Sequence, residues 1–308
     1  MLVSVDPGKY ATKAITQSKR IYFPTRLSPN PTMDPTGNTY HIQHQGNSYL
    51  LGEQAEQSSF DISKAEMVHK LATYTAITQL QEFDHHIQLV LGCPLNIYKN
   101  KELREAYKSY ILDNRFIHLL INGISYAFYI ENILVLPESA GIVYLSPTLF
   151  KNKRTAIVDL GGLNMNFCVY DNYIPQVSSM FTLNLGGYEL QTNILNAINT
   201  KYGIVLNSQD IWYIVQQGGL KLKGKIDNDS ITLVNSLIEE YLHRVLQEVR
   251  KNGYNFDTME VVFVGGTSKL IENKVRQCVP HAFIPEEAEW SNCHGFFKIG
   301  ELKYNQRE

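Results

Sequence analysis

Two short apolar strands in this sequence each end in an aspartate that is followed, two residues later, by a glycine. The first strand ends in Asp6 and Gly8, and the second ends in Asp159 and Gly161. The two aspartates lie about half of the 308 residues apart, and each loop leads into a further apolar strand. A strand, a tight turn and a returning strand in each half predict an α/β chain built from two copies of one domain.

Composition narrows the class of protein. The length suggests two domains, and the hydrophobic and charged fractions of 44% and 19% are those of an ordinary globular protein. A net charge of −2, without a run of Lys and Arg, gives no electrostatic basis for direct binding of nucleic acid or a membrane.

The scattered cysteines lack a CxxC pair, which favours free thiols in a reducing cytosol. The amino-terminal residues lack a basic leader, and no stretch reaches the ~20 apolar residues of a membrane span, so we predict a cytoplasmic protein.

Apolar spacing predicts the main secondary-structure elements. Helices are predicted over Met67–Leu80, Leu103–Ile111, Gly187–Ile198 and Val234–Val249. Asn122-Gly123 is a hairpin signal, and the residues after it are predicted to form two strands, Ile124–Ile130 and Ile133–Leu136.

The two aspartate loops have the composition of phosphate-binding turns. Gly8 and Gly161 let backbone N–H groups approach a phosphate closely, and Lys13 supplies a point charge for phosphate oxygens. Asp6 and Asp159 can hold Mg²⁺ through water, because this ion keeps several of its waters when bound. Each loop taken alone is also compatible with an ordinary hairpin turn. Two such loops at matching positions favour a clamp on one triphosphate.

Two further motifs contain groups that suit nucleotide chemistry. Glu138 follows a predicted strand and Pro137; a carboxylate there can begin a helix, where the helix dipole favours it, or can position and polarise an attacking water. The apolar strand Val261–Val264 is followed by Gly265 and Gly266, which predicts a strand, turn and helix against which a flat nucleoside can lie.

In this order, the motifs resemble those of the actin, Hsp70 and sugar-kinase superfamily, and more closely those of the bacterial plasmid-segregation actins of the ParM and Alp type. The resemblance is carried by Asp6-x-Gly8 with Lys13, Gly92-Cys93-Pro94-Leu95, Pro137-Glu138-Ser139, Asp159-x-Gly161-Gly162, Leu185-Gly186-Gly187, Val264-Gly265-Gly266 and the tail Asn292–Gly300. It implies an actin-like, ribonuclease H-like fold of two duplicated domains with a nucleotide cleft between the halves. Residues 1–145 would form domain I, residues 146–292 domain II, and residues 293–308 would pack back on domain I.

The resemblance also implies a function. We expect an ATPase that polymerises into dynamic filaments with Mg²⁺ and ATP (or GTP), and that segregates plasmid DNA through a DNA-bound, ParR-like adaptor. Asp6 and Asp159 would organise Mg²⁺ through water, and Glu138 would activate the hydrolytic water. The nucleotide would be bound by Gly8, Lys13, Gly161, Gly162, Asn164, Gly186, Gly187, Gly265 and Gly266. By analogy, the loop at 28–38 and the region after Asn207 would contribute filament contacts.

Departures from the family pattern leave alternatives open. Lys9 and Tyr10 stand where actins usually have small hydroxyl residues, and Asn164 and Asn166 stand where many superfamily members have Thr and Asp. How the γ-phosphate is sensed is therefore open. A small-molecule, sugar-type kinase of the same superfamily is one alternative, and Asp84 is its candidate base. A cell-shape or scaffold actin homologue is another, although no amphipathic membrane helix opens the chain.

Overall fold

The computed structural model describes residues 1–58, 64–81 and 85–304, which fold into two units. Unit 1 consists of Met1–Thr148, Met180–Thr182 and Trp290–Glu308, and unit 2 of Leu149–Ser179 and Leu183–Glu289. In the described part of the chain, no helix combines the length and the apolar composition needed to cross a membrane.

One large mixed sheet organises unit 1. Its strands are β1 (Leu2–Pro7), β2 (Ala11–Ile15), β3 (Arg20–Pro24), β4 (Arg26–Pro29), β5 (Thr39–His44), β6 (Asn47–Gly52), β7 (Gln57–Ser58), β8 (His86–Cys93), β9 (Phe116–Ile121) and β10 (Ile124–Pro137). The strand order is β3-β2-β1-β8-β10-β9-β5-β6-β4-β7. In the middle of the sheet, β8 is parallel to both β1 and β10. Because parallel strands have their carboxyl ends at the same edge, the residues that follow these three strands are brought together.

The two strands predicted after Asn122-Gly123 form one strand, β10. The register of β10 against β8 shifts between Ile130 and Asn132, so Glu131 is the extra residue of a β-bulge. The amino-terminal half of β10 pairs with β9 across the predicted turn, where φ is +50° at Asn122 and +78° at Gly123. The prediction of two separate strands was wrong because a bulge interrupts the side-chain alternation without ending the strand.

The helices of unit 1 are α1 (Met67–Leu80), α2 (Leu95–Lys99), α3 (Lys101–Leu112), α4 (Gly141–Leu145) and, numbered in chain order, α10 (Ser291–Tyr304). Apart from Met67 and Gln79, every residue of α1 is buried. The last helix, α10, packs on β1 and α4. Gly141 and Gly295 permit this approach, because a Cβ atom at either position would overlap the backbone of the other helix.

The second half of the chain repeats the central strand arrangement. Its strands are β11 (Arg154–Leu160), β12 (Met165–Asp171), β13 (Ile174–Pro175), β14 (Phe181–Leu183), β15 (Lys221–Leu222), β16 (Lys225–Ile226) and β17 (Glu260–Val264). In the sheet of unit 2, with the order β13-β12-β11-β17, β11 is antiparallel to β12 and parallel to β17. The strands β2, β1 and β8 have the same relations in unit 1.

The helices of unit 2 are α5 (Gly187–Tyr202), α6 (Ser208–Gln217), α7 (Asn228–Lys251), α8 (Gly266–Leu270) and α9 (Glu272–Cys278). The amphipathic pattern predicted α7 correctly. Asp227 caps it, since its side-chain oxygen accepts a hydrogen bond of 2.9 Å from the N–H of Ser230. Arg250 and Lys251 in its last turn complement the helix dipole. The other predicted helices correspond to α1, α3 and α5, and are confirmed.

Candidate functional site

Asp6 lies at the end of β1, opposite Lys13 on β2. The turn that follows is closed by a hydrogen bond of 2.9 Å from the N–H of Gly8 to the carbonyl of Asp6. A Cβ atom at Gly8 would lie 2.6 Å from the carbonyl oxygen of Ala11, so a glycine is required for this tight turn. Lys13 places its ammonium 5.9 Å from the ring centroid of Tyr22, and its contact with phosphate stays a prediction.

One oxygen of the Asp6 carboxylate is available to accept further hydrogen bonds. Its Oδ2 accepts a hydrogen bond of 3.3 Å from Asn292, whereas Oδ1 is buried and has no hydrogen-bond partner among the described residues. Gly92 leaves space beside Oδ1, because a Cβ atom there would lie 3.2 Å from it. Burial raises the pKa of Asp6, and the Lys64 ammonium opposes that rise. A buried acceptor without a partner fits a water held by Mg²⁺, so this residue suits the predicted metal.

Glu138 is brought to the same edge of the sheet by the parallel pairing of β8 and β10. Its N–H donates a hydrogen bond of 2.8 Å to the carbonyl of Cys93. Ser139 has a left-handed backbone with φ of +73°, and α4 begins only at Gly141. The interpretation of Glu138 as a helix-start residue is therefore wrong, because the left-handed residue separates it from the helix.

The charged partner of Glu138 is Lys64, a residue that no sequence motif predicts. The Lys64 ammonium forms a hydrogen-bonded ion pair with Oε1 of Glu138, and the two side chains are only 1% and 9% exposed. Burial alone would lower the pKa of Lys64, but Glu138 and Asp6 outweigh it, so that pKa is raised. The partners are 74 residues apart. A lone lysine before an apolar helix carries no motif that could have revealed it.

Asn292, in the first turn of α10, connects two of these loops. Its side-chain nitrogen donates to Asp6, and its side-chain oxygen accepts a hydrogen bond of 3.0 Å from the N–H of Ser139. Asn292 belongs to the tail motif that carries the family resemblance, but the sequence predicts no role for it. The side chain holds Asp6 and the residue after Glu138 in one hydrogen-bonded group.

Asp159 has the equivalent position in unit 2. It lies near the end of β11, opposite Asn166 on β12, and pairs with Val264 on the parallel strand β17. Gly265 follows that strand with φ of +92°, and a Cβ atom there would lie 2.6 Å from Oδ1 of Asp159. Glycine therefore keeps open the space beside the Asp159 carboxylate. This cradle, which a side chain would fill, also fits a hydrated Mg²⁺.

The second glycine loop is held by α5. The carbonyl of Gly161 accepts hydrogen bonds from the N–H of Gly187 at 3.0 Å and from the hydroxyl of Thr267 at 2.8 Å. The carbonyl of Gly162 accepts one of 2.7 Å from the N–H of Tyr188. Two N–H groups in the first turn of α5 thus donate hydrogen bonds to carbonyls of the loop. These bonds fix the position of the loop.

The remaining predicted glycines differ in their surroundings. A Cβ atom at Gly186 would lie 2.5 Å from the Cα of Leu163, and one at Gly187 would lie 3.2 Å from the Cβ of Thr267. Gly186 lets α5 approach the loop, and Gly187 lets α5 approach Thr267 of α8. Gly266 has more space, since its nearest neighbour is a side-chain carbon of Glu289 at 3.7 Å. Direct contacts of these glycines with a nucleotide stay predictions.

Asn164 closes the second loop. Its carbonyl accepts a hydrogen bond of 2.9 Å from the N–H of Gly161, and its side chain is buried, as is that of Asn166 on β12. The kinase candidate Asp84 lies outside the described residues.

Comparison with known proteins identifies the family. The sequence profile described as "Actin like proteins N terminal domain" matches residues 4–141. The solved Alp12 filament structure is 30% identical to this chain, with a TM-score of 0.74, and the likeness covers 98% of both chains. The chain belongs to the actin-like proteins. The predicted family and the predicted actin-like α/β fold are confirmed. No match was found among curated protein sequences.

Two more distant structures share the fold of this actin-like protein. An archaeal actin homologue in complex with ADP is 19% identical, with a TM-score of 0.80, over 98% of this chain and 99% of that chain. A 15-stranded ParM filament from Clostridium botulinum is 17% identical, with a TM-score of 0.77, and the likeness covers 98% of this chain and 99% of that chain. At these identities the likeness establishes the fold alone.

Proposed function

We propose that this actin-like protein is a cytoplasmic, Mg²⁺-dependent ATPase that polymerises into filaments and segregates DNA through a DNA-bound adaptor. The observation that carries the ATPase proposal is a buried group in which Lys64 lies beside Asp6 and Glu138, two residues at the carboxyl ends of parallel strands. Two acidic side chains and one ammonium, buried together beside a glycine turn, suit phosphoryl chemistry better than a structural role.

The three acidic residues divide two tasks in the proposed hydrolysis. Asp6 and Asp159 would accept hydrogen bonds from the waters of Mg²⁺, which when bound neutralises charge on the phosphate oxygens. Glu138 would orient the attacking water and accept its proton. Asn292 would keep the Asp6 carboxylate oriented, because its amide binds one of the two carboxylate oxygens. The glycine turns at Gly8 and Gly161 would let backbone N–H groups reach the phosphates.

Three observations support, in turn, the nucleotide, the assembly into filaments and the adaptor. The archaeal homologue with the same fold was solved with ADP, which supports an adenine nucleotide. The structures of Alp12 and of the Clostridium botulinum ParM are filaments, which supports polymerisation. A net charge of −2 favours an adaptor over direct contact with DNA. The kinase alternative rests on Asp84 and gains no support from the described residues.

The proposal is tested with purified protein, by following right-angle light scattering, pelleting and phosphate release after Mg-ATP is added. Scattering should rise and then decay as phosphate appears, and a parallel series with GTP decides the nucleotide preference. Absence of both assembly and phosphate release with either nucleotide would overturn the proposal. Phosphate transfer to a sugar without assembly would favour the kinase alternative.

A variant pair tests the role of Glu138. Glu138→Gln should slow phosphate release by about 10²-fold or more, because the group that accepts the proton is lost, while assembly persists and the filaments last longer. The matched control is Glu131→Gln, which changes an acidic residue of β10, the strand that ends just before Glu138; Glu131 pairs with His86 at 2.9 Å. Loss of ATP binding in Glu138→Gln would show that Glu138 has been assigned the wrong role.

A further inference from the structure

We infer that Lys64 is a positioning residue for Glu138, and that its ammonium holds the carboxylate in the orientation from which Glu138 acts on water. The inference rests on the proposed ATPase function and extends it by one residue. It is carried by the buried ion pair between the two side chains, by the electrostatic coupling of Lys64 to Asp6, and by the backbone conformation of Lys64.

The burial of this pair makes a purely stabilising role a poor explanation. Charges removed from water lose hydration, and apolar residues of similar volume often replace a buried ion pair without loss of stability. Lys64 is only 1% exposed, so nearly all of that hydration is lost. The structure also contains a less buried pair, in which Lys70 lies 2.8 Å from an Asp113 side chain that is 27% exposed. The Lys64–Glu138 pair, beside Asp6, therefore loses more hydration free energy than the Lys70–Asp113 pair.

The backbone conformation of Lys64 also supports a functional role. Its φ of +52° lies in the left-handed region, which is unfavourable for a residue with a Cβ atom. Such conformations persist where the surrounding structure holds them, and they cluster at functional sites. Here, the left-handed residue carries an ammonium that reaches the Glu138 carboxylate.

The ammonium can act on Glu138 in two ways. The terminal torsion of a glutamate side chain is broad, so a fixed donor on Oε1 restricts the directions in which the carboxylate faces a water. The positive charge also offsets one of the two negative charges of Asp6 and Glu138, which would otherwise repel each other and an incoming phosphate. Both effects act on the step that uses Glu138, and neither requires contact between Lys64 and the nucleotide.

The test is a comparison of Lys64→Met with Lys70→Met. Methionine matches the length of lysine without its charge, and each variant breaks one ion pair in unit 1, fully buried for Lys64 and partly buried for Lys70. We expect Lys64→Met to lower kcat for phosphate release by about tenfold or more and to change KM by less than about threefold. Lys70→Met should keep kcat near that of the unaltered protein. Lys64→Arg, which restores a cation, should recover part of the lost kcat.

A double-variant cycle separates positioning from general damage. If Lys64 acts through Glu138, Lys64→Met in the Glu138→Gln background should lower kcat no further than Glu138→Gln alone. Additive losses, or a folded Lys64→Met with unchanged kcat, would overturn the inference. If Lys64→Met does not fold, as judged by thermal unfolding, Lys64→Gln replaces it, with the same split between kcat and KM expected. Unaltered protein without any nucleotide turnover would instead overturn the proposed function.

Discussion

Gly265, the residue after β17, is the position where one added methyl group should most damage the proposed nucleotide site of unit 2. Its φ of +92° and ψ of 159° lie in a region of backbone space that is essentially reserved for glycine. The Cβ atom of an alanine would also lie 2.4 Å from the carbonyl oxygen of Leu160 and 2.6 Å from Oδ1 of Asp159. Gly265→Ala therefore forces a change of the backbone, of the Asp159 side chain, or of both.

The expected magnitude has two parts. The backbone conformation costs a residue with a Cβ atom about 1–3 kcal/mol, and the overlap with Asp159 adds about 1–3 kcal/mol, as overpacking does elsewhere. We therefore expect Gly265→Ala to lower the free energy of unfolding by about 2–6 kcal/mol. Gly253→Ala is the matched control, because Gly253 has φ of +85° but no atom within 4 Å of its added Cβ. That control should lose only about 1–2 kcal/mol.

Urea unfolding without nucleotide measures the stability of both variants, and titration with a fluorescent ATP analogue in Mg²⁺ measures affinity. Gly265→Ala should bind the analogue at least about tenfold more weakly, which corresponds to about 1.4 kcal/mol, since the methyl group displaces the Asp159 carboxylate. Gly253→Ala should bind it unchanged. Equal stability and equal affinity in the two variants would refute the argument that Gly265 keeps open a space that the site uses.

Three further outcomes are expected. Asp159→Ala should weaken ATP binding with Mg²⁺ present and have little effect with EDTA, as measured by calorimetry; unchanged affinity would remove Asp159 from the site. Asn292→Leu should lower the free energy of unfolding by about 1–3 kcal/mol, because Asp6 and the N–H of Ser139 lose a buried partner, and should weaken the dependence of ATP binding on Mg²⁺; a stable variant with normal Mg²⁺ dependence would contradict this. Trp212→Ser, on the exposed face of α6, should reduce pelleting with Mg-ATP but leave the thermal unfolding temperature nearly unchanged; normal pelleting would place the filament contact elsewhere.

Local signals account for what the sequence predicted well. The strand-and-turn geometry around Asp6 and Asp159 was predicted because each aspartate follows a short apolar strand and precedes a glycine, and this pattern depends only on neighbouring residues. The amphipathic stripe and the Asp227 cap define α7 in the same local way.

Weak local signals explain two elements that were missed. The helix α6 is short, and its exposed face carries Trp212 and Tyr213. These aromatic residues weaken the alternation of apolar and polar positions that indicates an amphipathic helix. The hairpin of β15 and β16 turns at Lys223-Gly224, where φ is +49° and +87°. This backbone usually selects Asn-Gly or Asp-Gly, so a Lys-Gly pair gave no turn signal.

The sequence by itself determined the family, the order of the motifs and the two aspartate loops, because every motif consists of residues that are neighbours in the chain. Only the tertiary structure decided which side chains meet. Lys64 reaches Glu138 across 74 positions, and Asn292 reaches Asp6 across 286. Those contacts depend on the parallel order of β1, β8 and β10 and on the packing of α10 against β1. Strand order and helix packing are set by the summed burial of many residues, so no short segment of the sequence encodes them.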